Sequence, residues 1–534
     1  LAPGGGRRGG AGGRPTRGDG RTRAARSGGR RSADPVRWAA LEVLRAVGDR
    51  DAYANLLLPS VLRDGGLSGR DAALATELTY GTLRGRGTYD AVLTACSDRP
   101  LDRIDPPVLE VLRLGTHQLL ATRVRAYAAV ATSVDLARDA AGAGAAKFAN
   151  AVLRKVAAHD LETWIDNVAP PRASDPLGHL AVRYSHPRWV VAAFSESLGE
   201  DEGSGFPETQ AALAADADRP GVTLCVVPGL ADPAELVTEG AESARWSPFG
   251  VYLKSGDPAG LTAIAEGRAG VQDEASQLAA LALTRVDAGS SDSRWLDVCA
   301  GPGGKARLLA GLAAARGARL IAADVRPHRA RLVRDATAVA GAVGVVAADD
   351  RGAGLVGDAT AVAGAVGVVV ADGCVPAWRP GSFDRVIADV PCSGLGALRR
   401  RPDARWRKSP PDVTALGGLQ RRLLAHALDA ARPGGVVAYV TCSPHVAETR
   451  AVVADVVGGR NDVTVIDAPG VLPEVPGLRC PEPESRFAQF WPHRHGADAI
   501  FLALLRRAPL AEDPADPSGQ VGSGPGRESG AGSA

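Results

Sequence analysis

The stretch Arg294–Val325, RWLDVCAGPGGKARLLAGLAAARGARLIAADV, decides the reading of this 534-residue chain. An apolar run (RWLDV) passes the acid Asp297 and opens into a glycine-rich turn. A helix-length segment (KARLLAGLAAA) follows, and a second apolar run (ARLIAADV) carries a second acid, Asp324. Strand-length apolar runs alternating with helical segments specify a mostly parallel sheet covered on both faces. The alternation continues through RPHRARLVRDATAVA (helix), VGVVVAD and FDRVIADV (strands), TALGGLQRRLLAHALDAA (helix), GVVAYVTCS (strand) and HVAETRAVVADVV (helix). Sheets of this kind bind ligands outside the carboxyl ends of their strands. The turn, Asp324, Asp389 to Cys392 and Thr441 to Cys442 all fall there.

Inside this region DATAVAGAVGVV occurs twice without a mismatch, at Asp335 to Val346 and at Asp358 to Val369, 23 residues apart. Two identical copies cannot fill one helix-to-strand slot, so one is looped out or forms an extra helix and strand. The acid after the third strand is Asp349 or Asp350 in the first copy and Asp372 in the second. Asp372 is preferred, because its copy runs directly into FDRVIADVPCS.

Working outward, Asp34 followed by Pro35 is a helix opening, and helix-length amphipathic segments then repeat to about Ala158 with no strand signal between them. The chain divides into an Arg/Gly-rich arm (1–33), an all-helical domain (34–165), a small α+β module (166–265), an α/β domain (266–508) and a polar tail (509–534) expected to be disordered. His117 and His159 read as structural, since neither has a metal-spaced partner. Seven cysteines scattered between 96 and 480 have neither disulfide nor CxxC spacing. They read as free thiols in a reducing compartment. With no membrane-length apolar run and no signal-peptide core, a cytoplasmic protein without membrane or metal is expected. The net charge of +2 conceals an arm with nine arginines against Asp19, a net +8, which leaves about −6 elsewhere. A basic arm on an acidic body suits a polyanionic partner.

The turn AGPGGKA matches neither GxxxxGK[ST] nor GxGxxG. A glycine turn that lets backbone approach a ligand, with Asp324 placed for ribose hydroxyls and no phosphate fingerprint, suits a nucleoside cofactor such as S-adenosylmethionine. Two cysteines follow strand-like runs in near-duplicate settings, Cys392 in IADVPCSGLG and Cys442 in VVAYVTCSPH. Methyl transfer to oxygen or nitrogen needs no thiol. Carbon 5 of a pyrimidine does, because a thiolate adding to carbon 6 makes carbon 5 enamine-like. Asp389, three residues before Cys392, is placed to protonate or hydrogen-bond the ring nitrogen as addition proceeds. Spacing alone leaves the two thiols nearly symmetric.

These residues resemble the Sun/Nop-type RNA cytosine-5 methyltransferases, and within them the RsmB/Sun subfamily. VQDEASQLAA, DVCAGPGGKA, Asp324, Asp372, ADVPCSGLGALRRRPD, YVTCSPHVAET and HGADAIFLALL stand in the family's order, and LTYGTLR and FANAVLRKV resemble the RNA-binding antitermination factor NusB. The resemblance implies a NusB-like helical domain, a small α+β linker module and a Rossmann-like class I methyltransferase domain. It implies Cys442 as the nucleophile, Cys392 as the thiol that assists release, and Asp389 beside cofactor and target base. Cys299, Ala300, Gly301, Pro302, Gly303, Gly304 and Lys305 would wrap the cofactor's methionine portion, Asp324 its ribose and Asp372 its adenine side. Gly301 and Ala306 depart from the family's usual CAAPGGKT. The implied reaction is methylation of carbon 5 of a cytosine in 16S ribosomal RNA by a monomer acting on the RNA or on an assembling small subunit. A transfer RNA substrate, or an inactive RNA-binding assembly factor, are the alternatives. Arg399, Arg400, Arg401, Arg405, Arg407 and Lys408, with Trp406 among them, are expected to form an RNA-binding surface.

Overall fold

The computed structural model describes residues 33–254, 256–289, 291–347 and 365–509. The arm, Asp349 and Asp350 and the tail lie outside these residues. Asp34 caps the first helix, its carboxylate accepting from the Val36 amide (3.0 Å) with Pro35 at the first helical position. Helices Pro35–Arg50, Ala54–Asp64, Gly69–Cys96, Pro106–Ala121 and Ala126–Val156 pack around Leu41, Leu44, Leu78, Leu93, Leu112 and Leu153. Gly142, at φ 87°, breaks the last helix between its two amphipathic halves. His117 lies in this core with Nδ1 2.9 Å from the Tyr89 hydroxyl, and His159 sits edge-on to Trp164 at 5.1 Å.

Helices Pro176–Arg183, Arg188–Leu198 and Pro207–Ala217 lead to a small antiparallel sheet in the order β2-β3-β1-β4. Its strands are β1 (Val222–Val226), β2 (Ala241–Ser243), β3 (Gly250–Leu253) and β4 (Ala269–Val271). β4 lies past residue 265, so the module's sheet takes one strand from the segment that the sequence reading gave to the following domain.

The large sheet holds β5 (Arg294–Asp297), β6 (Arg319–Asp324), β7 (Ala342–Ala347), β8 (Val366–Val370), β9 (Phe383–Asp389), β10 (Ala431–Thr441), β11 (Val463–Ile466), β12 (Ala488–Gln489) and β13 (Phe501–Arg507). Their order is β11-β13-β10-β9-β5-β6-β8-β7, with β12 beside β13. The pairings from β7 to β10 are parallel and β13 runs antiparallel to β10. Successive residues of the central strands feed opposite faces: Trp295, Leu320 and Ile387 enter one apolar layer, Leu296, Ile321 and Val386 the other. This is the expected α/β domain. The sequence reading stopped at the helix after Cys442 and did not assign β11, β12 or β13.

Each copy of the repeat supplies a strand. The first gives β7, the second β8, and they pair in parallel through Val345↔Val368 and Val346↔Val369. β8 keeps the place beside β6, and β7 is added outside it, the outermost strand on that side among the described residues. Excising residues 335–357, which joins Arg334 to Asp358, should therefore leave every register from β8 inward unchanged. The thermal midpoint is expected to move by less than about 5 °C.

The arginine run proves to be internal. Arg399 and Arg400 both bind Asp273 and Asp498. Arg405 is completely buried and donates to the carbonyls of Arg84 (3.0 Å), Ser185 (3.2 Å) and Asp216 (2.5 Å). Arg407 donates to the carbonyls of Asp51 and Ala52, and Trp406 packs against Gly87. Arg405, Trp406 and Arg407 fasten the α/β domain to the helical segments, Arg399 and Arg400 form ion pairs within it, and only Arg401 among the arginines of this run stays exposed. Buried carbonyls that lose their donor are costly, at roughly 1–3 kcal/mol each. Arg405→Met is expected to lower stability by about 3 kcal/mol or more, read from denaturant unfolding.

Candidate active site

Strand order sets Asp324, Asp297, Asp389 and Thr441 side by side, since they end the adjacent parallel strands β6, β5, β9 and β10. The turn after β5 is shaped by its glycines. The Ala300 amide donates to Ala323 O (2.8 Å), and the Gly301 amide donates to Asp324 Oδ2 (3.1 Å). A Cβ on Gly301 would stand 2.4 Å from that oxygen, and Gly303 has φ 110°, so neither place tolerates a side chain easily. Asp324 Oδ1 accepts from the Arg326 amide at 2.9 Å. Asp297 is fully buried; Oδ1 accepts from the Cys299 amide (3.3 Å), while Oδ2 has no partner among the described residues. Burial, reinforced by Asp389, pushes its carboxyl up to about 8. Asp372 lies just past β8 and accepts from the Cys374 amide at 2.8 Å.

Lys305, the last residue of the glycine motif, turns inward. Its ammonium donates to Asp389 Oδ2 (2.8 Å) and Ser276 Oγ (2.6 Å). Burial opposes its charge, but Asp389 more than compensates and holds the ammonium above its usual range. Cys392 and Cys442 are free thiols with sulfurs 3.1 Å apart. Their surroundings differ. A hydrogen bond from Cys392, helped by the positive charges of Lys305 and Arg401, holds the Cys442 thiol below its ordinary range against burial. The same contact, together with burial and the carboxylates of Glu448 and Asp389, pushes the Cys392 thiol well up. The sulfurs share one hydrogen bond, and the charges around them favour ionisation at Cys442 over Cys392.

The two cysteine turns are tied together behind the sulfurs. Ser393 and Ser443, each directly after a cysteine, both donate their hydroxyls to Glu448 Oε2, the Ser443 bond being 2.6 Å. Gly396 crosses both turns: its amide donates to Cys442 O (2.9 Å) and its carbonyl accepts from the Ala499 amide (2.8 Å). A Cβ there would lie 1.9 Å from Ala499 O.

The family model for "16S rRNA methyltransferase RsmB/F" matches residues 285–506, and that for the NusB family matches residues 34–158. The Mycobacterium tuberculosis protein named "Putative methyltransferase MT1451" is 48% identical over 480 residues, covering 90% of this chain and 98% of its own. The "Ribosomal RNA small subunit methyltransferase B" of Pseudomonas putida is 30% identical, over 88% of this chain and 98% of its own. This chain belongs to the RsmB/F family. It is a methyltransferase of that family with a NusB-family helical domain at its N-terminal side. The crystal structure of PH0851 shares the fold, with a TM-score of 0.68, 20% identity, and coverage of 89% of this chain and 99% of that one.

Within this RsmB/F fold, Cys299 to Lys305, Asp324, Asp389, Cys392 and Cys442 gather at one edge of the sheet, with Asp372 at the end of the next strand. The sequence reading did not single out Asp297 as a free buried carboxyl, nor Ser276, nor the Ser393–Ser443–Glu448 tie. One signal for the tie was on the page: a serine follows the cysteine in both motifs, and twin polar neighbours suggest a shared partner. No membrane-length apolar helix and no group of three metal-ligating side chains occurs among the described residues.

Proposed function

We propose that this protein methylates carbon 5 of a cytosine in 16S ribosomal RNA with S-adenosylmethionine, through a covalent adduct between Cys442 and carbon 6 of the base. The paired thiols carry this reading: two sulfurs 3.1 Å apart, with surroundings that favour a thiolate at Cys442, have no use in transfer to oxygen or nitrogen.

The strand ends fit S-adenosylmethionine. The glycine turn from Gly301 to Gly304 brings backbone to the strand ends, where a side chain on Gly301 or Gly303 would not fit, and the unpartnered Asp297 Oδ2 is a buried acceptor for an ammonium. Asp324 keeps lone pairs for ribose hydroxyls beyond the two amides it accepts. Asp372 is assigned to the adenine side. When bound, the cofactor supplies an electrophilic methyl group. This chain's residues do the rest. The Cys442 sulfur bonds carbon 6 and the ring's π electrons become available at carbon 5. Asp389, fixed by its bond to Lys305, is assigned to donate a proton to the ring nitrogen as the base gains electron density. After transfer a base takes the proton from carbon 5, the electron pair left behind restores the carbon 5–carbon 6 double bond, and the sulfur leaves as the Cys442 thiolate, a step assisted by Cys392, the group in contact with the departing sulfur. The target base must leave its stack to reach the thiols, which favours a loop nucleotide. The NusB-family domain supplies RNA affinity away from the cleft.

The test is labelled methyl transfer to under-methylated small-subunit ribosomal RNA and to bulk transfer RNA in parallel, with the product nucleoside identified. 5-Methylcytidine in the ribosomal RNA alone is expected. Label in transfer RNA alone, or in neither, would overturn the proposal.

A further inference from the structure

We infer that Glu448 is a positioning residue for both thiols: it fastens the Cys392 and Cys442 turns to each other and keeps negative charge off Cys392, so that Cys442 is the attacking sulfur. This rests on the covalent reading above. It explains what that reading leaves open, namely how two thiols in near-duplicate settings come to differ.

Glu448 is wholly buried and touches neither sulfur by hydrogen bond. It accepts from four donors. Oε1 takes the Ser393 amide (2.7 Å) and the Gln420 amide nitrogen (3.2 Å); Oε2 takes the hydroxyls of Ser393 and Ser443. Every surrounding group donates, so the site is built for a carboxylate with no proton to place. Two of the donors belong to Ser393, the neighbour of Cys392, and one to Ser443, the neighbour of Cys442. Tyr439, on β10, anchors the same residue from its other side by donating its hydroxyl to Glu448 O (2.8 Å).

The charges facing the sulfurs are sorted accordingly. Cys392 faces Cys442, Glu448 and Asp389, which all disfavour a thiolate. Cys442 faces Asp389 as well, but also the cations Lys305 and Arg401 and the Cys392 thiol that donates to it. In a buried site such charges act at low dielectric and are poorly screened. Glu448 takes two bonds from Ser393, the neighbour of Cys392, and one from Ser443, the neighbour of Cys442, and its charge is among those that most disfavour a thiolate at Cys392.

Glu448→Gln separates charge from shape. Its amide oxygen can meet the two N–H donors at Oε1, and its amide nitrogen can donate to the two serine hydroxyls, which rotate to accept. The experiment is iodoacetamide labelling of the full chain across pH 6 to 10, with each cysteine followed by peptide mass spectrometry. In the wild-type protein Cys442 should be alkylated at least about tenfold faster than Cys392 at neutral pH; in Glu448→Gln that ratio should fall by about tenfold with an unchanged melting curve. Gln420→Lys, which neutralises Glu448 without removing it, should narrow the ratio in the same direction and serves if Glu448→Gln does not fold. A folded variant of either kind that keeps the wild-type ratio would overturn the inference, while wild-type methyl transfer would leave the covalent reading standing. Faster labelling of Cys392 in the wild type would sink both.

Discussion

Cys392→Ala, incubated with S-adenosylmethionine and under-methylated small-subunit RNA, should accumulate a covalent protein–RNA species that survives a denaturing gel. Cys442→Ala should form none and lose methyl transfer by about 10⁴-fold or more, the scale on which removal of a catalytic nucleophile acts. The asymmetry follows from the pair's geometry. Cys442 is held below the ordinary thiol range by the hydrogen bond from Cys392 and by Lys305 and Arg401, so it attacks. Cys392 sits 3.1 Å away, in contact with the sulfur that departs; its loss leaves Lys305 and Arg401 to favour the Cys442 thiolate, so attack continues at a reduced rate while release stalls. Both variants should keep their fold, since each sulfur contributes little to the apolar layers compared with the serine tie behind it. Adducts that depend on Cys392 and persist without Cys442 would reverse the two roles.

Lys305→Met is the second large effect expected. The ammonium favours the Cys442 thiolate and also balances Asp389, with which it is bonded at 2.8 Å. Its removal subtracts a positive charge and leaves Asp389 as an uncompensated negative one, so both changes raise the Cys442 thiol. A thiol raised in this way is protonated at neutral pH and ionises only as pH rises. Methyl transfer at pH 7 should fall by about 10- to 100-fold, and the deficit should shrink above about pH 8.5 as the thiol is forced to ionise. A rate profile parallel to wild type at every pH would show that Lys305 acts by shape alone. Because the side chain is almost fully buried, methionine is the appropriate replacement: it fills the stem's volume without leaving a cavity.

What was legible in the sequence was what local pattern encodes. β5, the glycine turn, its helix and β6 read directly, because strand-length apolar runs and a glycine at positive φ are properties of neighbouring residues. The two cysteines were legible as a pair, though not as an unequal one, since the charges that separate them include Lys305, far from both in the chain, and Glu448, which reaches the Cys392 turn only through the fold. The arginine run after Cys392 was misread for the same reason. Nothing near Arg405 announces that the carbonyls of Arg84, Ser185 and Asp216 converge on it, yet those partners turn a charged surface segment into an internal brace. Arg399 and Arg400 likewise needed Asp273 and Asp498, which lie about a hundred or more residues away in the chain. β11 and β12, four and two residues long, offer too short a period to read.

The added strand β7 has a historical consequence. A doubly wound sheet can lengthen where its outermost strand has a free side, and there a duplicated helix-to-strand unit joins the ladder without shifting any register that carries chemistry. The first copy runs from the end of a helix through a turn into β7, and the second copy ends in β8. A strand inserted into the sheet between its neighbours β5 and β9 would have parted Asp297 from Asp389. Selection acting on catalysis is therefore blind to gene-level stuttering at one margin of the sheet and severe a few ångströms inward, so the margin is where lineages of this protein can differ in strand number while keeping the same enzyme.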